Sequence, residues 1–128
     1  MAKLPNVLSV EDDAGLFRLI QLTLRPLPIQ LHHANSGAEA LRLINEVRPE
    51  VIILDITLPD MRGWDVLDQI ATTTDLDIKG VIVVTGRTET AHRVIARLQD
   101  VTGYLNKPFK PAELRKKVID VLNLTPVS

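Results

Sequence analysis

Along this chain, short runs of mostly β-branched aliphatics alternate with segments whose apolar residues recur at helical spacing, and few architectures accept that rhythm. The runs are Val7-Leu8-Ser9-Val10, Val51-Ile52-Ile53-Leu54 and Val81-Ile82-Val83-Val84. They leave almost no polar face, so they read as strands buried on both sides. Ile29-Gln30-Leu31-His32-His33 alternates apolar with polar, and Thr102-Gly103-Tyr104-Leu105 is short and contains a glycine. Those two read as edge strands.

Five helical segments fill the intervals. Leu16, Leu19, Ile20 and Leu24 make the first stripe; Ala40, Leu41, Ile44 and Val47 make the second, opened by the capping-box pattern Ser36-Gly37-Ala38-Glu39. A weaker third runs from Gly63 to Ala71, with Leu67, Ile70 and Ala71 inward. Ala91, Val94, Ile95 and Leu98 form the fourth. Leu114, Val118, Val121 and Leu122 form the fifth, entered through Pro111. The fold class is therefore α/β, a (βα)₅ chain whose right-handed crossovers give a doubly wound parallel five-stranded sheet. With the half-polar strands at the edges, the order is 2-1-3-4-5. In this flavodoxin-like order, ligands sit beyond the carboxyl ends of strands 1 and 3.

Composition removes several functions. Fifteen basic against sixteen acidic side chains leave a net charge of −1, and only four aromatics are present. This domain itself therefore has neither the charge nor the stacking platform of a nucleic-acid binder. Without cysteine there is no disulfide, thiolate nucleophile or zinc-thiolate site. The longest aliphatic runs are four residues, against roughly 18 for a membrane span. Met1-Ala2-Lys3-Leu4-Pro5 lacks a signal-peptide core, so the expected location is cytoplasmic, with no membrane partner.

Chemistry concentrates at the strand ends. Strand 1 ends in Glu11-Asp12-Asp13 and strand 3 in Asp55, so carboxylates converge at the switch point, an arrangement tolerable if they are solvated or if a cation neutralises them. An all-oxygen set without His or Cys favours Mg²⁺ or Mn²⁺ over zinc. Taken singly, Asp12 or Asp13 is adequately explained as the cap of the first helix. Flavin binding of the flavodoxin type fails, because carboxylates stand where a phosphate would need donors. Strand 4 ends in Val84-Thr85-Gly86, and strand 5 is followed by Asn106-Lys107-Pro108-Phe109. A carboxylate nucleophile, a cation, a hydroxyl, an approachable glycine backbone and an ammonium are the parts needed to form and hold an aspartyl phosphate.

Here the chain resembles the receiver domain of bacterial two-component response regulators, over essentially its whole length. The resemblance rests on Val10-Glu11-Asp12-Asp13, on Leu54-Asp55-Ile56-Thr57-Leu58-Pro59-Asp60-Met61-Arg62-Gly63, on Val84-Thr85-Gly86 and on Gly103-Tyr104-Leu105-Asn106-Lys107-Pro108-Phe109. It implies a single receiver domain over residues 1–128, similar to the single-domain chemotaxis regulators. It implies that Asp55 is the phosphoacceptor, that Thr85 donates to a phosphoryl oxygen and that Lys107 pairs with it. Mg²⁺ would be held by Glu11, Asp12, Asp55 and the backbone carbonyl of Thr57, and a cis Lys107–Pro108 peptide would aim the ammonium. Thr85 and the aromatic switch residue Tyr104 would carry the signal to a face made by the fourth helix, strand 5 and the fifth helix, bordered by His92, Arg93, Lys107 and Lys110.

The implied function is a phosphoprotein switch of phosphorelay signal transduction, not an enzyme. A sensor histidine kinase or phosphotransfer protein would be the donor, an output protein or domain the receiver, and a homodimer could form on phosphorylation. In departure from the family, Glu11 replaces the commoner Asp, and Asp100 stands where a glycine often ends the fourth helix. Arg87 and Thr57 occupy positions that in this family influence phosphoryl loss. Two other functions fit part of the pattern. A Mg²⁺-dependent aspartyl-phosphate phosphatase of the haloacid-dehalogenase kind would carry a second acid two residues after its nucleophile, where Thr57 stands. An unphosphorylated dimerisation module would have no use for Asp55, Thr85 and Lys107. His32 and His33 lack a helical His-Asp/Glu signature and read as surface histidines. Arg115-Lys116-Lys117 reads as a solvated helix face, and Trp64 as the half-buried start of the third helix.

Overall fold

Val51, Ile52, Ile53 and Leu54 are each no more than 1% exposed, which only a central strand covered on both faces allows. In the computed structural model, which describes residues 3–73, 75–86 and 101–124, they lie in β3 (Val51–Asp55) at the middle of a five-stranded sheet. The order is β2-β1-β3-β4-β5, with β1 (Asn6–Val10), β2 (Gln30–Ala34), β4 (Gly80–Thr85) and β5 (Gly103–Asn106) all paired parallel. Sheet order and edge strands agree with the expectation from hydrophobic patterning.

Alternation along each strand divides the core in two. Leu8, Val10, Ile52, Leu54, Val81 and Val83 face one cluster, shared with Ala40 and Ile44 of α2 (Gly37–Val47) and Val66 of α3 (Gly63–Thr72). Val7, Val51, Ile53, Ile82 and Val84 face the other, shared with Ile20 and Leu24 of α1 (Ala14–Leu24) and Leu114 and Val118 of the C-terminal helix α4 (Pro111–Leu122). Each fully buried aliphatic contributes about 1.5–3 kcal/mol, so the two layers pin the sheet that positions the strand ends.

Local chemistry fixes the helix ends. Asp13 Oδ1 accepts the Leu16 N–H at 3.0 Å and Ser36 Oγ accepts the Glu39 N–H at 3.1 Å, each meeting one of the donors that a helix start leaves open. Pro111 occupies the first turn of α4, where its missing N–H costs nothing. Gly63 is required by close approach: a Cβ there would stand 2.7 Å from Ile56 Cα and 2.8 Å from the Asp55 carbonyl oxygen.

The basic triplet at the end of the chain divides, against its reading as one solvated face. Lys116 is exposed, but Arg115 is half-buried and its Nε donates to the Thr23 carbonyl at the end of α1, 3.1 Å away. Trp64 is half-buried at the start of α3, as expected. The fourth helical stripe, with Arg87, His92, Arg93 and Asp100, lies outside the described residues. Among the described residues, no helix is long and apolar enough to cross a membrane.

Candidate functional site

Parallel strands all deliver their carboxyl ends to one rim, so the residues following β1, β3, β4 and β5 meet there. Glu11 and Asp55 arrive buried, at 2% and 3% exposure, and Asp12 exposed. Lys107 is placed by the ladder, its backbone N–H donating to the Thr85 carbonyl at 2.8 Å just past the end of β5. The Lys107–Pro108 peptide is cis, as the resemblance implied.

The ammonium of Lys107 joins the acids. Its Nζ lies 2.9 Å from Asp55 Oδ2 and 3.4 Å from Glu11 Oε1. The other Asp55 oxygen, Oδ1, accepts the Thr57 N–H at 2.9 Å, so both carboxylate oxygens are oriented. Burial opposes the charge on Lys107, but the hydrogen bond and charge of Asp55 and the charge of Glu11 outweigh it and hold the lysine above its ordinary pKa. Glu11 shifts upward to about 8, first through burial, then through the hydrogen bond and charge of Asp55. The Asp13 N–H, 3.2 Å from Glu11 Oε2, and the Lys107 charge oppose that rise without cancelling it.

One lysine against this many acids leaves room for a further positive charge. Glu11, Asp12 and Asp55 can each offer a carboxylate oxygen, all within 4.8 Å of one another. That all-oxygen set suits a hard divalent cation. Thr57 pairs with Arg62 in an isolated antiparallel bridge, which the Gly63 N–H closes on the Ile56 carbonyl at 2.8 Å. This is the non-hydrogen-bonded type of pair, so Arg62 does not take the Thr57 carbonyl. Asp13 is occupied as the α1 cap, in keeping with the plainer reading of that residue alone.

Thr85 is buried at 2% exposure. It shares a sheet face with Tyr104: Val83 pairs with Tyr104 and Thr85 with Asn106, so Tyr104 is its diagonal neighbour, half-buried against the α2–α3 cluster. Gly86 carries no positive φ, and among the described residues a Cβ there would make only ordinary contact with Lys107, at 3.7 Å. Its glycine is not dictated by backbone geometry.

Two residues near the rim, His33 and Asp60, escaped the motif reading. His33 is no plain surface histidine: its Nε2 lies 2.7 Å from the Glu11 carbonyl oxygen, and its ring stacks on Phe17 with centroids 3.7 Å apart. Asp60 accepts the Gly37 and Ala38 N–H groups at 2.8 and 3.0 Å, tying the β3–α3 loop to the start of α2. Only strand register and loop docking reveal these pairings; the nearest sequence signal was the repeated histidine beside an acidic strand end.

The response regulator receiver domain family profile matches residues 7–119. The DNA-binding response regulator MtrA of Mycolicibacterium paratuberculosis is 32% identical over 113 residues, covering 88% of this chain and 49% of that protein. The chain thus spans about half the length of the curated relatives it matches. Among solved structures, the chemotaxis response regulator CheY4 of Vibrio cholerae superposes with a TM-score of 0.82 at 26% identity, over 93% of this chain and 99% of that one. The bacteriophytochrome response regulator RtBRR gives 0.84 at 28% identity, over 98% and 82% of the two chains.

Proposed function

The chain belongs to the response regulator receiver domain family, and from that membership we propose that it is a cytoplasmic phosphoacceptor switch whose acceptor is Asp55. A single observation carries the reading: a buried carboxylate held on one oxygen by the Thr57 N–H and on the other by Lys107, beside two further acids. An Asp55 oxygen forms the new O–P bond while the P–N bond of a donor phosphohistidine breaks, and the donor's imidazole departs as the leaving group with the electron pair of that bond. Lys107, already 2.9 Å from Asp55, turns to the phosphoryl oxygens. Thr85 donates its hydroxyl to one of them. Glu11, Asp12, Asp55 and the Thr57 carbonyl would hold Mg²⁺ or Mn²⁺, which supplies the positive charge that lets an anionic donor approach.

The readout follows from the shared sheet face of Thr85 and Tyr104. As the Thr85 hydroxyl follows the phosphoryl group, Tyr104 repacks and alters the surface around β5 and α4. The partners are a sensor histidine kinase or phosphotransfer protein on one side and an output protein or domain on the other. MtrA is a DNA-binding response regulator of about twice this length, which favours an output module acting through such a surface. A phosphorylated homodimer fits the same face. The role is signalling rather than turnover of a small molecule.

Acetyl phosphate or phosphoramidate with Mg²⁺ tests this directly. Mass spectrometry should find one phosphoryl group added to the wild type, none on Asp55→Asn and none in excess chelator. Undiminished labelling of Asp55→Asn would place the acceptor elsewhere.

A further inference from the structure

We propose that His33 is a positioning residue for the cation site, acting through the backbone of Glu11; the inference rests on the reading of Glu11 and Asp12 as cation ligands. A carbonyl oxygen can only accept, so the 2.7 Å contact between His33 Nε2 and the Glu11 carbonyl requires the proton to sit on Nε2. The ladder between β1 and β2 ends at Val10 and Ala34, with the Glu11 N–H donating to the Ala34 carbonyl at 2.9 Å. Beyond that point β2 offers no strand to take the Glu11 carbonyl, and the imidazole supplies the donor instead.

The ring is itself held. It lies 7° from parallel against Phe17 of α1, and the Phe17 N–H donates to the Asp13 carbonyl at 2.9 Å. His33 therefore ties β2 to both ends of the segment that carries the acids. The Glu11 carbonyl belongs to the planar peptide that leads into Asp12. Fixing it fixes where the Asp12 side chain starts, and Asp12 is the exposed acid with least packing of its own to aim it. Outer contacts of this kind typically change metal affinity by about 10–100-fold when removed. Because the bond reaches a ligand's backbone rather than its carboxylate, the lower end applies.

Two substitutions separate the stack from the hydrogen bond. His33→Phe keeps a flat ring on Phe17 and removes the donor; His33→Gln gives up the ring and keeps an N–H at about the reach of Nε2. Binding of Mn²⁺ alone to the full chain is read from the loss of the free-ion electron paramagnetic resonance signal. Thermal midpoints in chelator report metal-free stability. The expected result is affinity about tenfold weaker in His33→Phe, restored to within about twofold of wild type in His33→Gln although that variant lacks the stack. Wild-type affinity in His33→Phe would overturn the proposal, and so would equal weakening of both variants with midpoints unchanged. Failure of the wild type itself to bind Mn²⁺ would instead remove the cation reading on which the proposal stands.

Discussion

The two loops that flank the acidic rim each carry an aspartate or glutamate displaced from its ordinary pKa, and in opposite directions. Glu11, after β1, is buried and pushed up to about 8 by burial and by Asp55. Asp60, after β3, is exposed and held below its ordinary value by the N–H groups of Gly37 and Ala38. The first loop is strained by the poor solvation of its acid's charged form, and is fastened by uncharged bonds, from His33 and to Ala34. The second has no such strain, and its charge is the fastener, set against the positive end of the α2 dipole. The proposed function would account for the difference: the first loop would hold a poorly solvated acid that a cation can relieve, whereas the second would only have to stay in place.

Lys107 bridges Glu11, after β1, and Asp55, at the end of β3, so its removal gives the largest expected effect. Lys107→Met keeps most of the unbranched side chain and deletes the charge shared by Glu11 and Asp55. Loss of one preorganised donor at a reacting anion typically costs about 10²–10³-fold in rate. Time courses with acetyl phosphate should show phosphorylation of Asp55 slowed by that factor. A slowing of less than about tenfold, against that expectation, would mean that the ammonium serves the resting carboxylates and not the transfer.

The opposite shifts predict opposite pH behaviour. For Glu11 the folded pKa is raised, so its contribution to metal-free stability is complete below its ordinary value of 4.5 and is lost as pH climbs through about 8. A cation has to displace that proton. Its affinity should therefore rise with pH, by up to about tenfold per unit, and level off above about 8. Titrating Mg²⁺ against denaturation midpoints at several pH values checks both signs. Affinity that is flat across neutral pH would show that Glu11 is already ionised in the metal-free protein. Asp60, with a lowered pKa, contributes stability above its ordinary value of 3.8 and loses it only as pH falls through its lower folded value.

The sheet order and the four strand-end residues were legible because each is written in a local pattern. Val51 to Leu54 can only be a central strand, and Glu11, Asp55, Thr85 and Lys107 end or directly follow strands whose carboxyl ends must converge. His33 and Asp60 were not legible, for a common reason: their partners are backbone groups 22 or 23 residues away. A backbone carbonyl or N–H has no residue type to signal it. Arg115 was misread in the same way, since its acceptor is the Thr23 carbonyl. Motifs report side chains that meet side chains; the holders of this site meet main chain.

The smallest effect belongs to the second loop, and it probes whether the two loops really differ. Asp60→Ala removes both acceptors of the Gly37 and Ala38 N–H groups, whereas Asp60→Asn keeps one neutral oxygen. The β3–α3 loop retains its closure from the Gly63 N–H to Ile56 and from the Thr57 N–H to Asp55, so neither change should reach the acids. Mn²⁺ affinity should move by less than about twofold, well short of the factor typical of outer contacts to a metal ligand. Amide exchange at Gly37 and Ala38 should quicken by about two- to tenfold in Asp60→Ala and by less in Asp60→Asn, the range expected for one lost hydrogen bond. Salt should imitate the Asn variant in the wild type, because an exposed charge is screened over about 8 Å at physiological ionic strength. If Asp60→Ala instead weakened the cation as much as His33→Phe, the two loops would be equivalent supports, and the division between a loop that aims and a loop that merely anchors would fail.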